Sequence, residues 1–233
     1  MCIRDSLRVG TGKAYITDLT ARKINILDLG SNKVNGSIPF NGWSEEMILL
    51  NGKVWVTNPE LFGGPVTEQL FIIDPLTDAV VDSLVIGRNP IAIEKDAEGS
   101  VWALATGNPV DGDMAQLVKI DPVNNEVIEK WEMPASYSGK IAMHTDGDKL
   151  AVLLDKIYYL DIDSGSPVEI SGLEQSVQTP YGISFDPRYE NSLWITDARD
   201  FVSPGAIFRY DIGLSRIVEE RSVGINPNDV VFY

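Results

Sequence analysis

Cysteine and histidine are almost missing from this 233-residue chain, where Cys2 and His144 stand alone. A single cysteine cannot close a disulfide within the chain, and one residue of each kind cannot make a Cys/His zinc site. A Ser-His-Asp or Cys-His pair would have to use His144, and nothing near it resembles a nucleophile elbow. Basic residues are scarce as well: 19 Lys and Arg stand against 34 Asp and Glu, for a net charge of −15. Such a surface repels phosphate backbones, which argues against a nucleic-acid partner, and it disfavours anionic membranes and anionic ligands too. Neutral or cationic small molecules, divalent cations and protein partners stay open. No apolar run approaches the roughly 18 residues of a transmembrane segment, and no basic start followed by an apolar core reads as a secretory signal at Met1. No segment holds a 3.6-residue apolar period over three turns, so helices are not expected.

What the chain does contain is repetition. One phrase recurs: a strand that ends in an apolar residue and Asp, a few turn residues, then Val or Ile opening another strand. The copies end at Val34, Val80, Val127, Val168 and Ile217, and their acids are Asp28, Asp74, Asp121, Asp161 and Asp211. A repeat of roughly 45 residues built only of strand signals indicates a β-propeller or an arc of one. Each repeat resolves into four strands, A to D. In the third, strand A is read at Ile91–Glu94, B at Val101–Ala105, C at Leu117–Ile120 and D at Val127–Trp131. Strand B is the most regular, with period-2 β-branched and aromatic runs such as VWVT from Val54 and LWIT from Leu193.

The fold expected is therefore all-β, a β-propeller of four-stranded antiparallel blades with five blades visible. The repeats fall at about residues 9–45, 46–90, 91–139, 140–181 and 182–233, within a propeller spanning 7–233. Residues 1–6 fit no phase of the repeat and read as a non-native or truncated scar. A lipobox-like Met1-Cys2 is the alternative, although the apolar stretch that should precede such a cysteine is absent. Asp229–Tyr233 reads as a further strand A. It would complete the first repeat, which shows no clear strand A of its own, and close a five-bladed ring. Missing upstream blades are the competing and preferred reading.

Val54-Trp55-Val56-Thr57-Asn58, Ile73-Asp74 and Gly87-Arg88-Asn89-Pro90 resemble the YVTN-type, YncE-like repeat propellers of bacteria, and Gly224-Ile225-Asn226-Pro227 supplies a second Gly-x-x-Pro. The resemblance covers Val9–Tyr233. The last part of the chain looks closer still to uncharacterised surface or periplasmic propellers, often lipoproteins encoded with outer-membrane uptake systems. It implies seven blades, of which this chain holds the C-terminal part. It also implies a cell-envelope location with the export signal missing from this chain. It implies no enzyme and no cofactor.

Within a four-stranded blade, the B–C and D–A connections leave one end of the sheet and the A–B and C–D turns the other. The C–D and A–B turns are short and alike. The B–C connections are long and dissimilar, at Pro59–Glu68, Gly107–Ala115 and Ala198–Gly205. Loops on a rigid scaffold carry binding groups, so the candidate ligand site is this end. Its aromatic walls would be Trp43, Phe62, Tyr137, Tyr181 and Phe201. Its polar groups would be Asn58, Arg88, Asn89, Asn108, Asp197, Arg199, Asp200, Asn226 and Asp229. No catalytic or metal-ligating residues are assigned. The repeated Asp residues are expected to accept backbone N–H bonds within their turns, and Trp55, Trp102 and Trp194 to pack between blades. Asp111-Gly112-Asp113 is only a fragment of a calcium loop.

These readings lead to a non-enzymatic binder of a small molecule or an envelope protein, monomeric or part of an uptake complex. A propeller lactonase or lyase is the first alternative, for which strand A offers only Glu46, Glu94 and Asp229 as scattered candidates. A structural interaction scaffold is the second.

Overall fold

The computed structural model describes residues 6–9, 12–40, 42–60, 64–163 and 165–232. They form five four-stranded antiparallel sheets, each in the order A-B-C-D along the chain, and no α-helix occurs among them. Sheet one comprises β1 (Ser6–Val9), β2 (Lys13–Asp18), β3 (Lys23–Asp28) and β4 (Lys33–Pro39). Sheet two comprises β5 (Met47–Leu50), β6 (Lys53–Val56), β7 (Gln69–Asp74) and β8 (Ala79–Val85). Sheet three comprises β9 (Pro90–Lys95), β10 (Val101–Ala105), β11 (Ala115–Asp121) and β12 (Glu126–Met133). Sheet four comprises β13 (Lys140–Met143), β14 (Lys149–Leu153), β15 (Ile157–Asp161) and β16 (Val168–Glu169). Sheet five comprises β17 (Pro180–Phe185), β18 (Ser192–Asp197), β19 (Ala206–Asp211) and β20 (Arg216–Ser222). The first three sheets make one compact unit, and the last two, with residues 96–98, make another.

The strand assignments of the third repeat hold to within two residues at either end. Strand B is buried on both faces: every residue of β10, β14 and β18 is buried. Both sides of these strands therefore need apolar partners, which explains their near-continuous runs of Val, Ile, Leu and Trp. Trp55, Trp102 and Trp194 are all buried, and Tyr15 takes the corresponding place in β2. The outer strands β8, β12 and β20 are exposed along most of their length. Leu70, Ile93 and Val118 belong to one apolar core in the first unit, and Ala151, Phe185 and Phe208 to one in the second.

The repeated aspartates do what their position implies. Asp28 accepts from the Ser31 N–H at 2.6 Å, Asp74 from Leu76 at 2.8 Å, Asp121 from Val123 at 2.8 Å, Asp161 from Asp163 at 3.3 Å and Asp211 from Leu214 at 2.9 Å. In four of the turns the residue four positions later is left-handed: Asn32, Asp78, Asn125 and Ser215, with φ between 50° and 55°. A register shift precedes each of these turns by one or two residues. An Asp-capped turn, a left-handed residue and a bulge together return strand C into strand D with the twist a hairpin needs.

Two expectations about the chain ends are corrected. Position A of the first sheet is filled by Ser6–Val9, which pairs with β2 from Ser6↔Ile16 to Val9↔Lys13. Ser6 thus belongs to a strand, while residues 1–5, Cys2 among them, lie outside the described residues. Residues 229–232 form no strand, and Tyr233 lies outside the described residues. The reason is local. Asp229 Oδ1 accepts its own neighbour's N–H, from Val230 at 2.8 Å, and the Ser184 hydroxyl at 2.6 Å. A side chain that takes up the backbone donor competes with a ladder. The Asn228 carbonyl lies against Gly182, where a Cβ would meet it at 2.0 Å, so the segment packs directly on the backbone of β17.

Asp186, fully buried, directly follows strand A of the fifth sheet. It accepts from Arg188 Nε and Nη2, both at 2.8 Å, from the Arg188 N–H at 3.0 Å and from Trp194 Nε1 at 3.0 Å. The Arg188 guanidinium above all holds this carboxyl far below the usual carboxylate range. A depressed folded value contributes stability above the unfolded pKa of about 4, and that contribution drains away as pH falls through the folded value. In chemical denaturation between neutral pH and about pH 2, Asp186→Asn should be less stable than the parent at neutral pH and should lose less of its stability on acidification. Parallel curves for the two proteins would refute this role.

Candidate functional site

At the B–C and D–A end of the first unit, several of the residues expected to meet a ligand are turned inward. Asn58 follows β6 and is buried; its Oδ1 accepts the Trp43 N–H at 2.9 Å. Trp43 is itself buried, with the Arg22 guanidinium 4.4 Å from its ring centroid. Its six-membered ring fills the place of a Gly64 side chain, where a Cβ would lie 1.7 Å from Cη2. Phe62 lies outside the described residues. Asn89, left-handed at φ 61°, accepts the Glu60 N–H on Oδ1 at 2.6 Å and donates Nδ2 to Thr106 Oγ1 at 2.6 Å. Asn108 Oδ1 accepts the Val110 N–H at 2.9 Å. Tyr137 is exposed.

Arg88 is the hub of this end. Its Nε and Nη2 donate to the two oxygens of Glu60 at 2.8 and 2.9 Å, and its Nη1 to Asp111 and Asp113 at 2.6 and 2.7 Å. One guanidinium thereby ties the B–C loop of sheet two to that of sheet three, in the bidentate geometry arginine favours. It also occupies the carboxylates of the Asp111-Gly112-Asp113 fragment. Among the described residues no group of His, Cys, Asp and Glu is placed to hold a metal ion.

The second unit repeats the inward arrangement at one point and departs from it at another. Asp197, at the end of β18, is fully buried and accepts the N–H groups of Gln178 at 3.0 Å, Thr179 at 2.8 Å and Arg199 at 2.9 Å. It stands where Asn58 stands in the first unit. In both, the Thr-Asx pair closing strand B clamps the preceding D–A connection through backbone donors. Beyond it the chain turns outward. Arg199 and Phe201 are both left-handed, at φ 52° and 65°, while Asp200 accepts from Val202 N at 3.1 Å and Ser203 N at 2.7 Å. Phe201 is 47% exposed and meets Tyr181, 37% exposed, edge to face with centroids 5.5 Å apart. Lys140 Nζ stands 6.0 Å from the Tyr181 ring and donates to Asn228 Oδ1 at 2.6 Å. Asn226 is exposed and left-handed at φ 53°, and Asp229 is engaged with Ser184 as described.

The enzyme candidates are likewise engaged. Glu46 Oε2 accepts the Ile93 N–H at 3.0 Å. His144 is buried in an A–B turn, edge-on to Phe185 at 5.3 Å, with the Asp146 N–H directed at its Nδ1 at 3.3 Å.

One feature has no counterpart in the sequence reading. A groove of about 800 Å³ lies between sheets one and two, at the end carrying the A–B and C–D turns. At its polar wall Lys13 Nζ donates to Pro75 O at 2.5 Å and to Asp78 Oδ1, which also accepts the hydroxyl of the buried Tyr15. Burial first, and the Asp78 bond second, push the Tyr15 phenol well above its ordinary pKa. The available signal was a lysine opening strand B in sheets one, two and four (Lys13, Lys53 and Lys149). Only Lys13 reaches the C–D turn of the next sheet.

No protein-family model and no curated protein matches this chain. Among solved structures, hydrazine synthase of Kuenenia stuttgartiensis superposes with a TM-score of 0.73 at 15% identity, over 93% of this chain and 73% of that one. At that identity the likeness shows the fold, which is propeller-like. In all, 1049 chains of known structure match, so the fold is shared too widely to carry a function.

Removing the buried carboxylate of Asp197 leaves three partly buried backbone donors without this acceptor. Asp197→Ala should cost about 3 kcal/mol, read as a lowered denaturant midpoint at unchanged slope, with Asp197→Asn milder. An unchanged midpoint would exclude the clamp. For Tyr15, a raised folded value contributes stability below the unfolded pKa of about 10 that is lost as pH rises through the folded value. Tyr15→Phe should therefore lose less stability than the parent on titration to about pH 11, and equal alkaline slopes would argue against the Asp78 bond.

Proposed function

We propose that this chain is a non-enzymatic propeller of the bacterial cell envelope, of the YVTN-repeat type. In this reading it binds a small molecule or a protein partner at the B–C and D–A end of its sheets, as an accessory to outer-membrane uptake. The single observation that carries the binding role is the Phe201 turn. A bulky side chain at positive φ is an outlier, and holding it there costs on the order of 1–3 kcal/mol. The buried core gains little in return, because the ring stands half exposed beside an exposed tyrosine. Strain spent on presenting an aromatic surface to solvent supports a recognition role. The pair offers ring faces and edges flanked by few free polar groups, which suits a ligand with flat apolar faces or a partner with an aromatic or aliphatic anchor.

The test separates recognition from structure. Phe201→Gly relieves the positive φ, so it should leave the melting temperature unchanged or raise it, by up to about 1 kcal/mol of stability. The same change should weaken binding at least tenfold in isothermal titration. Suitable probes are cyanocobalamin, haemin and cello-oligosaccharides, with pull-down from an outer-membrane fraction for protein partners. A protein that binds none of these and captures no partner, or a Phe201→Gly variant that is destabilised with binding intact, would rule the reading out.

A further inference from the structure

We propose that the groove between sheets one and two is a second, separate binding site, for a small amphipathic molecule with an apolar body and an ammonium head. Its volume of about 800 Å³ lies in the range of small-molecule sites, which are mostly apolar with a few convergent polar groups. Val9, Ile26, Leu49 and Leu76 supply the apolar wall. Leu76 is 92% exposed, a leucine held in water at the rim that a ligand would cover. Gly36 opens the wall: a Cβ there would meet Ile26 Cδ1 at 3.3 Å, so larger side chains at this position would intrude.

The polar wall selects the head group. Lys13, Asp28 and Asp78 line the groove, one positive and two negative charges. Asp78 uses Oδ1 for Lys13 and Tyr15, and Asp28 uses Oδ1 for the N–H and hydroxyl of Ser31. Among the described residues no hydrogen bond engages the Oδ2 of either, which leaves it for a further donor. An ammonium brings three donors and the missing positive charge. A carboxylate head would meet a net negative wall in a chain of net charge −15. Both carboxylates are set by capped turns and by the buried Tyr15 hydroxyl, so the head site is preorganised and little ordering remains for the ligand to impose.

Three probes of one shape isolate the head group: adamantane-1-ammonium, adamantan-1-ol and adamantane-1-carboxylate. In methyl NMR titrations of the intact chain, the ammonium should give saturable shifts at Ile26, Leu49 and Leu76 and bind at least tenfold more tightly than the carboxylate. In the double variant Asp28→Asn/Asp78→Asn the preference should fall to within about twofold. Asparagine retains the turn acceptors and tolerates the left-handed backbone of Asp78. Gly36→Leu should abolish binding of all three probes, and the wild-type shift map stands as the readout should that variant fail to fold. Phe201→Gly should leave all of this unchanged, which separates this site from the aromatic pair. Carboxylate binding as tight as ammonium binding, shifts centred on other methyls, or no saturable shift up to millimolar probe would overturn the proposal.

Discussion

The structure depends on one constraint: strand B is the driest strand, and in β10, β14 and β18 it is buried on both faces. A strand with two dry faces cannot be stable within a lone sheet, because each face needs an apolar neighbour. The chain answers with sheets that pack within each unit and with strand B built from continuous apolar runs. Tyr15, Trp55, Trp102 and Trp194 put their largest surfaces there, where aromatic burial contributes most. The outer strand pays no such demand, so β12 and β20 carry charged residues along exposed edges, which also discourages edge-to-edge association. The gradient from dry inner strand to wet outer strand follows from sheet order alone.

Backbone polarity at the sheet ends is the second demand, and the two ends meet it differently. At the C–D turns the solution is short-range and repeats: an Asp caps the turn, and a left-handed Asn, Asp or Ser follows in four of the five. Hydrogen bonds lower the pKa of these half-buried carboxylates, from Ser31 at Asp28, from Lys53 first and then Leu76 at Asp74, and from Val123 at Asp121, so charge and turn support each other. At the other end the solution is longer-range. Asn58 and Asp197 reach back to backbone donors in the preceding connection, and Arg88 joins two loops through Glu60, Asp111 and Asp113.

This contrast explains what the sequence could and could not disclose. Strand order, the boundaries of the third repeat and the role of the repeated Asp residues were legible because they are local and recur once per repeat. The left-handed residue after four of the five Asp residues was written in the same phrase, as Asn32, Asp78, Asn125 and Ser215, but its meaning needs a backbone angle. Strand β1 was missed because Ser6–Val9 is too short to show alternation. Asp229–Tyr233 looks like a strand by composition, yet Asp229 diverts the Val230 donor, a competition that propensity does not register. Asn58, Asn89 and Asp197 resembled ligand groups because Asn and Asp serve turns, clamps and ligands alike. Only their partners tell them apart.

The consequence for function is a division of labour among side-chain types. Of the polar groups expected at the loop end, Asn58, Arg88, Asn89, Asn108, Asp197 and Asp200 hold the loops themselves. Groups already satisfied within the fold have little hydrogen-bonding capacity left for a ligand. Tyr181, Phe201 and the neutral Asn226 remain exposed in the second unit, so recognition there would rest on shape and ring contact more than on charge. In the groove the balance is reversed. Among the described residues Asp28 and Asp78 each keep an oxygen in reserve, and the apolar wall is already in place. A fold that spends its repeated polar residues on its own backbone can recognise ligands only where the repeat is broken. Phe201 and the Lys13–Asp78 contact are two such breaks, and they differ in the chemistry they leave available.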